Sequence, residues 1–253
     1  ARVLGERPQP PRDAHWATFV RNHDELTLDK LTEYERKEVF EAFGPDPEMQ
    51  LYDRGLRRRL PSMLDGDQRR IRMVYSLLFS LPGTPVLFYG EEIGMAENLK
   101  AEGRLAVRTP MQWDAGPNGG FSTAPAKTLP GPVVEGQFSP KHVNVDTQHR
   151  DPNSLLSWIR LLVERYRDCP ELAWGKFQVL KTDEPAVLAH RCDDDGTIVA
   201  VHNFGEEEVT ITLPLKDFSV AEDQLVDGRV KIPKSGNVKI PLEPYGCRWF
   251  RLT

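Results

Sequence analysis

Thr84–Glu92, TPVLFYGEE, is the stretch that decides the fold: a compact apolar run ends at Gly90 and is followed at once by two acids. Short apolar runs bounded by turn residues are typical of strands that are buried on both faces. A similar run, HWATFV at His15–Val20, leads directly into the polar cluster RNHDE at Arg21–Glu25. The two runs predict parallel strands with polar side chains gathered at their C-terminal ends.

Helical patterns alternate with these strands. Thr32 and Glu35 have the spacing of a capping box, which predicts a helix from about residue 32. An amphipathic helix is expected over about 67–81, and another after Asp151 with Pro152 as its first residue. The order strand, helix, strand, helix is that of two βα units.

Two parallel strands cannot close a barrel, and each would leave backbone groups unpaired. We therefore expect either further strands before Ala1 or pairing with another polypeptide. The second predicted strand is followed by about sixty residues rich in Gly, Pro, Asn and Asp, which is too long for a passive connection in a compact domain. Such a loop usually carries function.

From Phe177 onward the hydrophobic period changes to two. This pattern predicts an antiparallel β-sandwich of about 80 residues, with a hairpin turn at Asp193–Gly196. We expect two domains, residues 1–170 and residues 171–253. The predicted sandwich strands are FQVLK, AVLAHR, TIVAVHNF, EVTITL, QLVDGRV, VKIPL and CRWFRL.

Composition excludes several classes of function. A net charge of −5 with interspersed signs gives no broad basic surface for nucleic acid. No apolar run approaches the ~18 residues of a membrane span. Three widely spaced cysteines argue against a disulfide framework and favour the cytoplasm. The histidines lack the paired spacing of a zinc site, so we expect neither a metal nor another cofactor.

Three segments together resemble the last motifs of the α-amylase family of glycoside hydrolases: FVRNHDE at 19–25, GTPVLFYGEEIG at 83–94 and RTPMQWD at 108–114. The resemblance covers nearly the whole chain. It implies the C-terminal portion of a (β/α)8 TIM barrel followed by an antiparallel β-sandwich, an α/β plus all-β chain. Within the family, NHDELTLDKLTEYER, SLPGTPVLFYGEEIGM and HVNVDTQ look most like the trehalose synthases, which interconvert maltose and trehalose.

The resemblance also implies roles for individual residues. His23 matches a histidine that contacts the sugar in the cleavage subsite, and Asp24 matches the carboxylate that stabilises the transition state. Asn22 and Arg108 match substrate-binding positions. The residues that match the motif after strand eight, and that shape the mouth of the barrel, are Gly83, Pro85, Tyr89, Gly90 and Glu92.

The nucleophile and the acid/base of the family follow earlier barrel strands, which this sequence does not contain. Retaining glycoside chemistry needs two carboxyl groups about 5 Å apart, one to attack and one to transfer a proton. Asp24 alone cannot perform this chemistry, so we expect this chain to be inactive without the N-terminal part of the barrel. That part is either in the same gene or on a separate chain.

Three functions remain open. The first is a trehalose synthase that takes a small α-glucoside such as maltose or trehalose and returns glucose to a different hydroxyl. The second is a hydrolytic α-glucosidase with a wetter acceptor site. The third is a catalytically silent α-amylase-like module that binds carbohydrate or another protein.

Several residues also have plain structural interpretations. Glu91 and Glu92 are expected to bond to backbone amides or to cap the next segment. Trp113 and Phe121 either stack on a sugar face or pack within the long loop. Arg57–Arg59 is interpreted as a solvated helix face.

Overall fold

The computed structural model of the chain describes residues 2–8, 10, 11 and 13–253. The chain divides into two compact units, each built from several stretches. The first unit consists of Ala1–Thr18, Arg72–Val86 and Arg160–Thr253. The second consists of Phe19–Ile71 and Leu87–Ile159. The division at residue 170 remains a prediction.

The elements are numbered along the described chain. The helices are α1 (Arg2–Gly5), α2 (Glu33–Phe43), α3 (Leu60–Met63), α4 (Gln68–Ser80), α5 (Val145–His149), α6 (Leu155–Asp168) and α7 (Glu171–Trp174). The strands are β1 (Ala17–Thr18), β2 (Leu26–Thr27), β3 (Gln50–Leu51), β4 (Gly55–Leu56), β5 (Thr84–Pro85), β6 (Lys176–Leu180), β7 (Val187–Asp193), β8 (Thr197–Asn203), β9 (Val209–Pro214), β10 (Val220–Asp223), β11 (Arg229–Lys231), β12 (Asn237–Leu242) and β13 (Cys247–Leu252).

The two strands predicted to be parallel do pair in parallel, as β1 and β5 in the first unit. Both are shorter than the apolar runs that predicted them. The Val86 amide still donates to the Thr18 carbonyl at 2.8 Å, but farther along the chain backbone groups bond to side chains: the Phe88 amide donates to the Glu91 carboxylate at 2.7 Å, and the Tyr89 carbonyl accepts from Arg59 at 2.9 Å. A strand cannot be extended where its backbone groups are already taken.

Gly83 stands directly before β5 in a conformation that favours glycine, with φ of 114°. A Cβ atom at this position would lie 2.4 Å from the carbonyl oxygen of Trp16. We expect Gly83→Ala to lower the free energy of unfolding by about 2 kcal/mol, because both the backbone and its neighbour would be strained. Urea denaturation measures this change. Gly131→Ala is the control, since nothing lies within 4 Å of its added Cβ; equal losses for the two variants would contradict the argument.

The helix predictions hold, with one shift of boundary. Thr32 and Glu35 form the complete capping box ahead of α2. Helix α4 matches the predicted 67–81 closely. Helix α6 begins at Leu155 rather than at Pro152, because the Asp151 side chain accepts the Asn153 amide and forms a turn first.

The sandwich prediction is confirmed for six of the seven segments. The strands form one antiparallel sheet in the order β11-β10-β13-β8-β7-β6 and a second pair, β12-β9. The segment QLVDGRV is not one strand: Asp223 Oδ1 accepts the Leu225 amide and the Asp223 amide donates to the Gly228 carbonyl, so the chain turns there. The core consists of Val187, Ala189, Val199, Val201, Ile211, Leu213, Leu215, Ala221, Val238, Ile240, Leu242, Phe250 and Leu252.

Two fully buried histidines join the large sheet to α4 within the first unit. His190 Nε2 lies 2.8 Å from the Ser80 carbonyl oxygen, so Nε2 carries the hydrogen. His202 Nε2 lies 3.0 Å from Ser76 Oγ, which also accepts the indole N–H of Trp249 at 3.0 Å. Burial lowers the pKa of His190 to about 4 and that of His202 well below its usual value.

In the second unit, a small antiparallel sheet in the order β2-β4-β3 brings the segment after Asp24 beside Arg54. Leu26 pairs with Leu56, and the Leu28 amide donates to the Arg54 carbonyl at 2.8 Å. The long loop after β5 contains several 3-10 turns, and one of them, Gly103–Val107, directly precedes Arg108. Within the described residues, no helix combines the length and the apolar character required to cross a membrane.

Candidate active site

The predicted substrate-binding residues of the second unit meet around Asp24. The Asp24 amide donates to Asn22 Oδ1 at 2.9 Å, which fixes a tight turn at the end of the polar cluster. Arg108 donates through Nη2 to Asp24 Oδ1 at 3.0 Å and through Nε to the His23 carbonyl at 2.7 Å. The two contacts of Arg108 join residues that are more than eighty positions apart in the sequence.

Asp24 remains accessible in spite of these contacts. Its side chain is 34% exposed, and that of His23 is 63% exposed with Nε2 lying 3.7 Å from Asp24 Oδ2. Arg104 adds a third contact, from Nη1 to Asp24 Oδ1 at 3.3 Å. The arginines therefore contact Oδ1, while Oδ2 faces His23.

The neighbouring carboxylate, Glu25, is buried and fully engaged. Its side chain is 1% exposed and accepts from Arg104 at 2.7 and 3.2 Å and from Arg54 at 3.1 Å. The hydrogen bonds from Arg104, supported by the one from Arg54, lower the pKa of Glu25 to about 2. Glu25 is therefore a permanent anion, and it cannot serve as a proton donor near neutral pH.

Two buried arginines support the backbone of the site. Arg21 donates to the Asp24 carbonyl at 2.8 Å and to the Arg58 carbonyl at 2.7 Å, and burial lowers its pKa to about 10. Arg59 is 1% exposed and donates to the Val107 carbonyl at 2.8 and 3.1 Å and to that of Tyr89. Val107 directly precedes Arg108, so Arg59 fixes the base of the loop that reaches Asp24.

The interpretation of Arg57–Arg59 as a solvated helix face is therefore wrong. These residues precede α3, and their guanidinium groups bind carbonyl and carboxylate oxygens. Arg58 lies 3.2 Å from Glu97. Their partners lie in distant segments, and a run of three arginines in the sequence does not reveal such partners.

The motif that begins at Gly83 and includes β5 divides between the two units. Tyr89, Gly90 and Glu92 belong to the second unit, and the Tyr89 hydroxyl donates to the Thr109 carbonyl at 2.7 Å. Gly90 has φ of 83°, and a Cβ atom there would meet Met95 and Arg59. Gly83 and Pro85 belong to the first unit, where they fix the start of β5 against β1. As expected, Glu91 binds a backbone amide.

A cavity of about 460 Å³ adjoins Arg108 in the second unit. Trp113 is 51% exposed and Phe121 is 44% exposed, so these rings are not packed away inside the loop. Aromatic rings beside a few polar groups are the usual lining of a sugar-binding cleft. Its lining residues are Tyr89, Glu92, Arg108, Thr109, Pro110, Met111, Trp113, Phe121 and Pro130.

The arrangement can stabilise positive charge on a sugar through Asp24 and can bind hydroxyl groups through His23 and Arg108. Asp24 is accessible, Glu25 is buried, and Glu92 lines the neighbouring cavity. Retaining glycoside chemistry needs one carboxyl group to attack and a second, about 5 Å away, to transfer a proton. In the part of the chain that the structure describes, no three His, Cys, Asp or Glu side chains are grouped to hold a metal ion.

Models of two protein families match this chain. The model of the α-amylase catalytic domain matches residues 53–175, and that of the sucrose hydrolase-like C-terminal domain matches residues 196–251. The first match includes Tyr89, Gly90, Glu92 and Arg108. Asn22–Asp24 lie outside this match, but they lie within the alignments with individual proteins.

Curated relatives align with nearly the whole chain. The chain is 37% identical to the trehalose synthase/amylase TreS of Mycobacterium tuberculosis and 39% identical to the trehalose synthase of Thermus thermophilus, in each case over 99% of this chain. It spans 43% and 26% of their respective lengths, less than half of each. The amino acid transporter heavy chain SLC3A1 of Mus musculus is 35% identical over 56% of the chain, and the match covers 22% of that protein.

Solved structures share the fold. An isomaltulose synthase mutant from Erwinia rhapontici NX5 aligns over 94% of this chain and 43% of its own, with a TM-score of 0.63 and 21% identity. The trehalose-6-phosphate hydrolase of Bacillus licheniformis gives a TM-score of 0.63 over 94% of this chain and 43% of its own, with 20% identity. The expected barrel portion followed by a β-sandwich is thus the fold of the chain.

Proposed function

Because the chain belongs to the α-amylase family of glycoside hydrolases, we propose that the complete protein interconverts maltose and trehalose by intramolecular glucosyl transfer. The observation that carries this proposal is the accessible carboxylate of Asp24, which Arg104 and Arg108 contact, together with the aromatic cavity that Arg108 also lines. The relatives that align with 99% of the chain are named trehalose synthases. The reaction requires carboxyl groups that this chain does not supply.

In this reaction, Asp24 stabilises the oxocarbenium-like transition state. Its Oδ2 binds sugar hydroxyls, and these hydrogen bonds strengthen as positive charge develops on the ring. His23 contacts the same sugar, and Arg108 fixes both the Asp24 carboxylate and the His23 carbonyl. The nucleophile and the acid/base are supplied by the N-terminal part of the barrel.

The cavity next to Arg108 is the acceptor side of the site. After cleavage, the released glucose must remain bound and turn so that a different hydroxyl attacks the glucosyl intermediate. An aromatic wall holds a sugar by its apolar face while leaving it free to rotate, and it also keeps water away. Trp113 and Phe121 provide this wall, which favours transfer over hydrolysis.

Trp113→Ala in the complete protein should raise KM for maltose by roughly tenfold, because the sugar would lose the apolar surface that the indole ring buries, at about 25 cal/mol for each Å². The share of glucose among the products should also rise, since water reaches the intermediate more easily. NMR of the anomeric protons measures both. Tyr34→Ala removes another exposed aromatic ring, on α2, and serves as the control. An unchanged KM and product ratio for Trp113→Ala would contradict the stacking role.

The function itself is tested by incubating the complete protein with maltose and following the anomeric protons by NMR. We expect the trehalose signal to grow faster than that of glucose. Glucose alone would favour the hydrolytic α-glucosidase. No change in maltose or trehalose would contradict both enzymatic functions.

One similarity favours a second candidate, a catalytically silent module for interaction. The chain is 35% identical over 153 residues to a protein named as an amino acid transporter heavy chain. Against this candidate stands the accessible Asp24 with its arginine contacts, because a silent module has no need of a cluster directed at a transition state. The cytoplasm remains our proposal for its location, based on the cysteine pattern.

A further inference from the structure

We propose that Arg104 is a positioning residue, anchored by the buried Glu25, that sets the orientation of the Asp24 carboxylate; this inference rests on the proposed function. No motif in the sequence pointed to Arg104. It emerges from contacts between segments that are 79 positions apart in the chain.

All three guanidinium nitrogens of Arg104 are engaged with the two carboxylates. Nε and Nη2 bind Glu25 Oε2 and Oε1 at 2.7 and 3.2 Å, and Nη1 binds Asp24 Oδ1 at 3.3 Å. A bidentate arginine–carboxylate pair has a defined planar geometry. The position of Nη1 is therefore set by Glu25, and Nη1 in turn sets the position of Asp24 Oδ1.

The anchor is firm because Glu25 is buried as an anion. Its side chain is 1% exposed, so breaking the pair would leave a desolvated charge without adequate compensation. Arg54 binds the same carboxylate at 3.1 Å, and the ring of Tyr52 lies 5.5 Å from the Arg104 guanidinium. Arg104 is therefore held on several sides, which suits a residue that positions another.

The same anchor also places Arg108. Arg104 lies in the turn Gly103–Val107, and Arg108 follows this turn directly. Both arginines bind Asp24 Oδ1. One buried glutamate thus controls two of the contacts that orient the accessible carboxylate, and the loop is fixed relative to Asp24 by a pair that no substrate needs to touch.

The competing interpretation is that Glu25 and its arginines form a structural ion pair with no bearing on catalysis. Arg54 separates the two interpretations. Arg54 donates one hydrogen bond to Glu25 at 3.1 Å where Arg104 donates two, and its other carboxylate neighbour is Asp29 at 3.7 Å rather than Asp24. A purely structural role predicts that each variant loses stability and that any loss of kcat follows that loss of stability, whereas a positioning role predicts a loss of kcat in the Arg104 variant that its thermal midpoint does not explain.

The experiment compares Arg104→Met, Arg104→Lys and Arg54→Met in the complete protein, with kcat and KM for maltose and the thermal midpoint of each. We expect Arg104→Met to lower kcat by about 10- to 100-fold with KM changed only a few-fold, as when a catalytic group shifts by about 1 Å. Added guanidinium ion at low, non-denaturing concentration should restore part of this kcat. Arg54→Met should cost far less kcat and should not respond to guanidinium.

Equal losses of kcat in Arg104→Met and Arg54→Met, without rescue by guanidinium, would overturn the positioning role while leaving the proposed function intact. If Arg104→Met does not fold, Arg104→Lys decides: a lowered kcat at a near-native thermal midpoint supports the role, and a normal kcat overturns it. Absence of maltose and trehalose turnover by the unmodified protein would overturn the proposed function, and this inference with it.

Discussion

Asp24→Asn in the complete protein is expected to lower kcat by on the order of 10²–10³-fold, the loss typical of removing one preorganised electrostatic contact with the transition state. Asparagine keeps the shape of the side chain but not its charge. Arg104 and Arg108 would then face an uncharged oxygen, and the developing positive charge on the sugar would lose its counter-charge. KM should change far less than kcat, because the lost interaction is strongest in the transition state.

Asp146→Asn is the matched control for this substitution. Asp146 is also a carboxylate of the second unit with an arginine partner, Arg150, but it lies on α5 and 51% of its side chain is exposed. We expect kcat close to that of the unmodified protein. Turnover by Asp24→Asn at the level of this control would refute the role assigned to Asp24.

Acidification from pH 7 to pH 4 is expected to lower the free energy of unfolding through the two buried histidines. In the unfolded chain a histidine gains its proton near pH 6.5, whereas in the fold the pKa of His190 is about 4 and that of His202 is also lowered. Between these two pKa values the unfolded state binds more protons than the folded state. The contribution of the histidines to the free energy of unfolding is therefore complete above pH 6.5 and is lost as the pH falls towards 4. His190 alone accounts for about 3 kcal/mol.

The physical cause is visible in the hydrogen bonds. His190 Nε2 donates to the Ser80 carbonyl and its Nδ1 has no hydrogen-bond partner among the described residues, so a second proton on this ring would be buried without an acceptor. Glu25 contributes in a lower window, from about pH 4.5 towards pH 2, because its folded pKa is depressed. The buried Asp223 carboxyl, whose pKa is raised by burial, opposes this acid loss.

The measurement is urea denaturation at several pH values between 7 and 4. His190→Gln keeps an N–H donor for the Ser80 carbonyl but does not titrate, so its stability should fall less steeply over this range. The exposed His142→Gln removes one imidazole elsewhere and should keep the original slope. Identical slopes in the unmodified protein and in His190→Gln would contradict the assignment.

Local patterns predicted the fold well. The capping box at Thr32 and the alternation in the sandwich strands both depend on residues that are close in sequence, and both are present in the structure. The failure at QLVDGRV has a local cause as well, since the Asp223 side chain turns the chain within an otherwise alternating segment. The β-propensity of an alternating segment does not by itself decide whether the segment forms one strand or contains a turn.

The site was predictable only in part. Asn22, His23, Asp24 and Arg108 were identified by their motifs, and the structure brings them together. The sequence did not reveal the arginines that hold these residues in place. Arg59 binds a carbonyl 48 positions away, and Arg104 binds a carboxylate 79 positions away; both partners depend on how the long loop folds, and that loop has no periodic pattern.

We propose that Asp24 stabilises the transition state of a retaining reaction whose nucleophile lies outside these 253 residues. The most direct test is to trap the glucosyl–enzyme intermediate of the complete protein with 5-fluoro-α-D-glucosyl fluoride and to map the modified peptide by mass spectrometry. We predict an adduct on a carboxylate outside the present sequence, with Asp24 unmodified. An adduct on Asp24, or on any other carboxylate of this chain, would contradict the account.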